Sequence, residues 1–224
     1  GQKPRLGVRA FFFYNTTPST DNRIRTVKTV MIVTNVVLRE ITRCDDAQKK
    51  AVRDVRNQPN IRKSMYTEHK ITLKEHLAWV DRLSNDKKQI VFIVLVDDVV
   101  GGIVSINLLD RLHLKSDWAF YLDKNIRGGL GPALEYALIN FVFNELGLEK
   151  LNCEVIETNG AVVKLHKKFG FMEEGFRREN IIKDLQRIGV FFLGLTKSDW
   201  INCEGEVLAK YKRVIEKFDV QIEY

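Results

Sequence analysis

Apolar residues along this chain switch between a period of 2 and a period of 3.6, and the switches mark its elements. From Met31 the run MIVTNVVLREI is strand-like, with a strand expected over 36–40. Residues 45–56 read as a helix entered at the Asp45–Asp46 pair, whose carboxylates suit a helix N-terminus. Pro59 breaks that run. Thr72 looks like an N-cap, with Glu75 completing a capping box, and the helix behind it carries Leu73, His76, Leu77, Val80 and Leu83 on one stripe. Two apolar runs, 90–96 and 99–108, flank Asp97–Asp98 as a hairpin around a tight acidic turn. A short strand follows over 118–122. The 3.6 period then runs from Pro132 to Leu146 through Leu134, Leu138, Phe141 and Val142, and Gly147 ends it. A strand over 151–156, a helix over 160–169, strands near 171–177 and 187–195 and a terminal helix over roughly 204–218 complete the series.

Alternating strand and helix signals, with no internal repeat and no linker, predict one mixed α/β domain. Its length of 224 residues allows a single sizeable core with appendages. No apolar run approaches the ~18 residues that a membrane span needs, and AFFFY near the start is too short for a secretory core. Three widely spaced cysteines, Cys44, Cys153 and Cys203, match no disulfide or metal framework, so a cytoplasmic location is expected. The net charge of +7 suggests nucleic acid until it is located: residues 1–30 alone carry +5, leaving +2 for the rest. That leader holds no sustained period, so residues 1–30 are expected to be a non-native or disordered basic extension, with the native start near Met31. The domain is expected over 31–200 and a helical extension over 201–224. The extension's apolar face (Val207, Leu208, Tyr211, Val214, Ile215, Phe218) leaves packing on the domain and a homodimer contact both open. Nucleic-acid binding is expected only if the leader supplies it.

Two motifs carry the chemistry. IRGGLGPALEYAL, residues 126–138, joins permissive glycines to Pro132 at a helix start, leaving uncapped N–H groups as a seat for an anion, most naturally a pyrophosphate. NGAVVKLHKKFGF, residues 159–171, runs from a turn through an apolar and basic helix to a glycine between two phenylalanines. In this order, on this layout, the pair resembles the Gcn5-related N-acetyltransferase (GNAT) family. Its phosphate loop follows Arg/Gln-x-x-Gly-x-Gly/Ala: Gly129 and Gly131 match, while Ile126 takes the Arg/Gln position and Arg127 comes one later. Its second pattern is Asn-x-x-Ala-x-x-Leu-Tyr-x-Lys-x-Gly-Phe: Asn159, Leu165, Lys168, Gly170 and Phe171 match, Val162 replaces the alanine and His166 the tyrosine. Residues 55–83, with Arg-Asn-x-Pro followed by Ser-Met-Tyr-Thr and a helix bearing His and Trp, resemble a narrower group. These are the PseH-type acetyltransferases of pseudaminic acid biosynthesis.

The resemblance implies a central mixed, mostly antiparallel sheet flanked by helices and splayed to hold acetyl-CoA. It implies acetyl transfer to the 4-amino group of a UDP-linked 4-amino-4,6-dideoxy sugar. By the same carry-over, His166 faces the coenzyme A sulfur as proton donor and Glu154 is the base. Phe120, Tyr121 and Leu122 lie along the pantetheine arm, and Arg127, Gly128, Gly129, Leu130, Gly131, Asn159 and Lys168 become donor contacts. Arg56, Met65 and His76 become contacts to the uridine nucleotide. Read as bare residues, each keeps another use: Arg56 as a helix C-terminal cation, Met65 as core filler, His76 as a satisfied core group, Glu154 as a solvated strand residue, His166 as a solvated helix residue with water as the acid. A protein N-terminus and a polyamine remain alternative acceptors, and a non-catalytic acyl-CoA-binding module is the alternative from another class. The basic bias of segment 56–76 (Arg56, Arg62, Lys63, Lys70, Lys74 against Glu68, Glu75) suits a diphosphate. The four histidines show no metal-ligand spacing, so no metal is expected.

Overall fold

A computed structural model describes residues 33–126 and 129–224, together with two short antiparallel strands before them, β1 (Phe12–Asn15) and β2 (Val27–Val30). The rest of the expected leader, and Arg127 and Gly128 of the glycine motif, lie outside the described residues.

The domain is organised on an eight-stranded sheet. Its strands are β3 (Thr34–Glu40), β4 (Ile90–Val96), β5 (Val99–Asp110), β6 (Lys115–Leu122), β7 (Lys150–Ile156), β8 (Met172–Lys183), β9 (Gln186–Thr196) and β10 (Phe218–Glu223). They stand in the order β10-β3-β4-β5-β6-β7-β9-β8. Only β10–β3 and β6–β7 are parallel, so the sheet is mixed and mostly antiparallel, as the family resemblance implied. The β4–β5 turn places Asp97 and Asp98 at φ 47° and 66°, the positive-φ pair that a two-residue hairpin requires.

Helices cover the sheet: α1 (Asp46–Arg56), α2 (Pro59–Lys63), α3 (Leu73–Leu83), α4 (Leu130–Asn140), α5 (Gly160–Lys168) and α6 (Lys197–Ile215). Asp45 caps α1 with Gln48, and Thr72 caps α3 with Glu75, each through reciprocal side-chain bonds. The larger core packs α4, α5 and α6 on one face, around Phe92, Leu134, Leu138, Phe169 and Trp200. A second cluster packs α1 and α3 on the other, around Ile41, Val52, Val80 and Ile93.

The helix entered at Asp45 stops at Arg56, and Pro59 opens a separate short helix, α2, at its first position, where its missing N–H is not needed. Three readings need correction. Leu73 and Leu77 stand 37% exposed, because α3 buries a narrower line through His76, Val80 and Leu83 and leaves both leucines on its flank. The helix expected up to Leu146 changes after Asn140 to a π-turn over 141–145, before Gly147 at φ 67°. The terminal helix starts at Lys197, so the boundary expected at residue 200 falls inside it, and the chain end is not helical: Phe218–Glu223 pairs with β3. Its alternation of half-buried and exposed residues is a strand signature that the helical reading passed over. Val207 is buried and Tyr211 packs beside Phe169, so part of the helix's apolar face is used within the chain.

Candidate active site

The ladder between β6 and β7 covers only residues 115–117 against 150–152. Both strands run on, β6 to Leu122 and β7 to Ile156, so they diverge beyond this fork and leave main-chain groups of β6 without a strand on that side among the described residues. At the fork Asn152 Nδ2 donates to Asp117 Oδ1 at 3.2 Å. A cleft of about 560 Å³ opens there, walled by Trp118–Leu122 of β6, residues 153–156 of β7, and Asn159, Val162 and His166.

α4 starts against α5: a Cβ on Gly131 would meet Leu165 Cδ2 at 3.8 Å. Its N-cap, Gly129, lies in the left-handed region at φ 91°, and among the described residues no side chain caps the first turn. A Cβ at Gly129 would come within 2.6 Å of Val214 Cγ1, so glycine is required there by both backbone and space. Unshared N–H groups at the positive end of α4, beside a splayed pair of strands, fit a long donor with a pyrophosphate at one end. Leu130 is itself core, at 2% exposure, and has only its main chain to offer.

His166 is 3% exposed and sits among Trp118 and Phe171, each with ring centroids 5.2 Å away, and Phe120 at 6.4 Å. Its Nδ1 lies 2.8 Å from Oε1 of Glu135, a fully buried carboxyl on α4. Burial pushes the Glu135 carboxyl above its ordinary range, and the bond to His166 draws it back. With Nδ1 engaged, Nε2 is the ring nitrogen left for the cleft. Cys153 also lines this wall, but burial holds its thiol far above the usual range and leaves it a poor nucleophile.

The opposite wall belongs to residues 56–67. Asn57 ties this segment at both ends of Ile71, accepting from its N–H at 2.8 Å and donating to its carbonyl at 2.9 Å. Gln58 donates to Asp123 at 2.6 Å. Lys183, 6% exposed on β8, donates to the carbonyls of Arg62 and Met65 and pairs with Glu68 at 3.0 Å. Thus held, Met65 and Tyr66 line the cleft, and the Tyr66 hydroxyl donates across it to Glu154. Burial and the Glu154 bond raise the Tyr66 phenol, so it stays a donor. Asp117 brings a second carboxyl to the cleft, raised by burial and by Glu154 while Asn152 opposes. Arg56 donates through Nη2 to Thr67, and its Nη1 is buried with no partner among the described residues. It also lines an adjoining pocket of about 390 Å³ with Tyr121, Trp79 and His76, whose buried Nε2 likewise lacks a partner among the described residues.

The sequence pattern of the family described as acetyltransferase (GNAT) domain matches residues 38–188. The chain belongs to the GNAT acetyltransferase family. It is similar to the acetyltransferase PseH of Campylobacter jejuni subsp. jejuni serotype O:23/36 (strain 81-176), 24% identical over 137 residues, 61% of this chain and 84% of the relative. A Bacillus subtilis (strain 168) protein named as a candidate ribosomal N-acetyltransferase, YdaF, is 26% identical over 114 residues, 50% of this chain and 61% of its own. Among solved structures, the spermidine N-acetyltransferase of Vibrio cholerae in complex with CoA and spermine shares the fold, with a TM-score of 0.69 at 20% identity over 75% of this chain and 98% of that one. As a GNAT enzyme the chain is an N-acetyltransferase with acetyl-CoA as donor.

Of the residues singled out in the sequence, Arg56, Met65, Phe120, Tyr121, Leu122, Glu154, Asn159 and His166 come together on one cleft, and His76 lies in the adjoining pocket. Lys168 stands exposed at the end of α5, outside the cleft wall. Glu135, Tyr66, Asp117 and Asn57 were missed. Glu135 had a readable signal: seven residues before Val142 and eleven before Leu146, it falls on the apolar stripe of its helix. The ties made by Asn57 and Lys183 had none, since their partners lie 14 and 118 to 121 residues away.

Proposed function

We propose that this GNAT enzyme acetylates the 4-amino group of a UDP-linked 4-amino-4,6-dideoxy sugar by direct transfer from acetyl-CoA. The observation that carries this reading is the pair of buried polar atoms without partners among the described residues, Arg56 Nη1 and His76 Nε2, in one pocket beside the cleft. Buried polar groups are normally hydrogen-bonded. An anionic ligand with hydrogen-bonding edges, such as a uridine diphosphate, satisfies both, and Trp79 offers an aromatic face in the same pocket. Met65 supplies apolar contact at the cleft. The similarity to PseH supports the same acceptor class.

Acetyl-CoA supplies a thioester, whose transfer requires a neutral amine and a proton for the leaving thiolate. Glu154 takes the amine's proton, directly or through water, with the Tyr66 hydroxyl holding its carboxylate. His166 delivers a proton from Nε2. Main-chain N–H groups along the open side of β6 hold the developing oxyanion. With the Cys153 thiol protonated, no acetyl-cysteine stage is needed.

A second reading rests on the carboxyl groups of Glu154 and Asp117, which suit a cationic amine such as a polyamine or a protein N-terminus. Thiol release from acetyl-CoA, measured in parallel with the UDP-amino sugar, spermidine and a short peptide with a free N-terminus, separates them. Release with the sugar alone is expected. Release with spermidine or peptide alone overturns the nucleotide-sugar reading.

A further inference from the structure

The Glu135 carboxyl has no place in the reaction as written so far. It is fully buried on an otherwise apolar helix face, its Oε2 lacks a partner among the described residues, and its one side-chain hydrogen bond there is to His166. Taking a carboxyl out of water is costly, and an apolar residue of similar volume would serve packing at least as well. A group retained against that cost needs another role.

We infer that Glu135 is a positioning residue for proton delivery: it holds Nδ1 of His166, so that the ring presents Nε2 to the coenzyme A sulfur. The inference rests on the reading of His166 as the proton donor.

The proton count is explicit. Before transfer the pair carries one proton shared between Glu135 Oε1 and Nδ1, and another on Nε2. As the amine nitrogen bonds to the acetyl carbon and the carbon–sulfur bond breaks, the Nε2 proton goes to the thiolate. Glu135 is then a carboxylate accepting from Nδ1–H, and Nε2 carries a lone pair. The pair regains its proton from solvent, which balances the one taken from the amine by Glu154. A carboxylate behind the ring accepts from Nδ1–H and so selects the Nδ1–H tautomer of the neutral ring. Trp118, Phe120 and Phe171 close around the ring, which lengthens the reach of that charge by excluding water. Among the described residues, Cys153 on β7 and Tyr211 on α6 also feel the Glu135 carboxyl, and both are raised by burial and so neutral around pH 7. Neither competes for the proton.

The test combines turnover with ¹⁵N NMR of the histidine rings on the full chain, His166→Ala providing the assignment. Glu135→Gln is expected to lower kcat about 100-fold with the KM for acetyl-CoA within about threefold. In the wild type, alkaline spectra are expected to show the Nδ1–H tautomer. That measurement needs neither an acceptor nor a substitution at Glu135. An Nε2–H tautomer at alkaline pH, or a Glu135→Gln enzyme with unchanged turnover, overturns the positioning role. Full turnover in His166→Ala overturns the proton-donor reading as well, whereas a crippled His166→Ala beside an intact Glu135→Gln removes only the role given to Glu135.

Discussion

His166 and Glu154 face the same cleft from very different surroundings. His166 is closed in by three aromatic rings and bonded to a buried carboxyl, whereas Glu154 is exposed and meets Tyr66, itself 45% exposed, from across the opening. The wall around His166 is part of the hydrophobic core, so its geometry is as rigid as the packing of α4 and α5 against the sheet. The facing wall is a short helix and loop, held by a few polar ties from Asn57, Gln58 and Lys183. A donor common to a whole family can be met by a rigid wall. On the proposed reading, an acceptor that differs between members is met by a segment whose sequence can change without disturbing the core.

The largest effect is expected where this contrast is sharpest. His166→Ala should lower kcat by about 1,000-fold with acetyl-CoA binding retained by calorimetry, and Glu154→Gln by about 100-fold, since exposed bases are more readily replaced by water. A Glu154→Gln loss exceeding that of His166→Ala would break the comparison. Next, Arg56→Ala should raise the KM for the UDP-amino sugar by about 30-fold at nearly constant kcat, the loss of a charged hydrogen bond to uniformly bound substrate. An unchanged KM would remove Arg56 from the acceptor wall. Gly129→Ala should cost about 1–3 kcal/mol of stability in urea unfolding, through its φ of 91° and the 2.6 Å approach to Val214. Substitution without loss would mean that the α4 start is less rigid than its packing implies. The smallest effect concerns Asp117, whose carboxyl is raised above its ordinary 3.8 by burial. A raised folded-state value means that the native state holds its proton more tightly, so this contribution to stability is lost as pH rises through that value. Asp117→Asn should therefore gain on the wild type between pH 4 and pH 7, and a gap that stays flat or narrows would contradict the burial of this group.

Much of the rigid half was legible beforehand. Asn159, Leu165, His166, Gly170 and Phe171 sit within thirteen residues, where helix geometry alone brings His166 and Phe171 to one end of α5. The capping boxes at Asp45 and Thr72 and the acidic turn at Asp97–Asp98 are local for the same reason. Glu135 was written on the apolar face of its helix, but a charge there reads as an exception until its partner on α5, 31 residues on, is seen. The wall proposed to hold the acceptor was legible only as a resemblance. Tyr66 meets Glu154 across 88 residues, and no local period encodes such a pairing.

By itself the sequence determined where helices and strands alternate, how α1 and α3 begin and which histidine stands in the place of the family's tyrosine. These depend on periodicity, caps and spacing within a turn or two of chain. Only the tertiary structure decided that the last residues return as a strand beside β3, that β6 and β7 part after three paired residues, and that His166 is backed by a buried carboxyl. Such features arise from which distant surfaces come to exclude water together, a property of the packed chain that no segment carries alone.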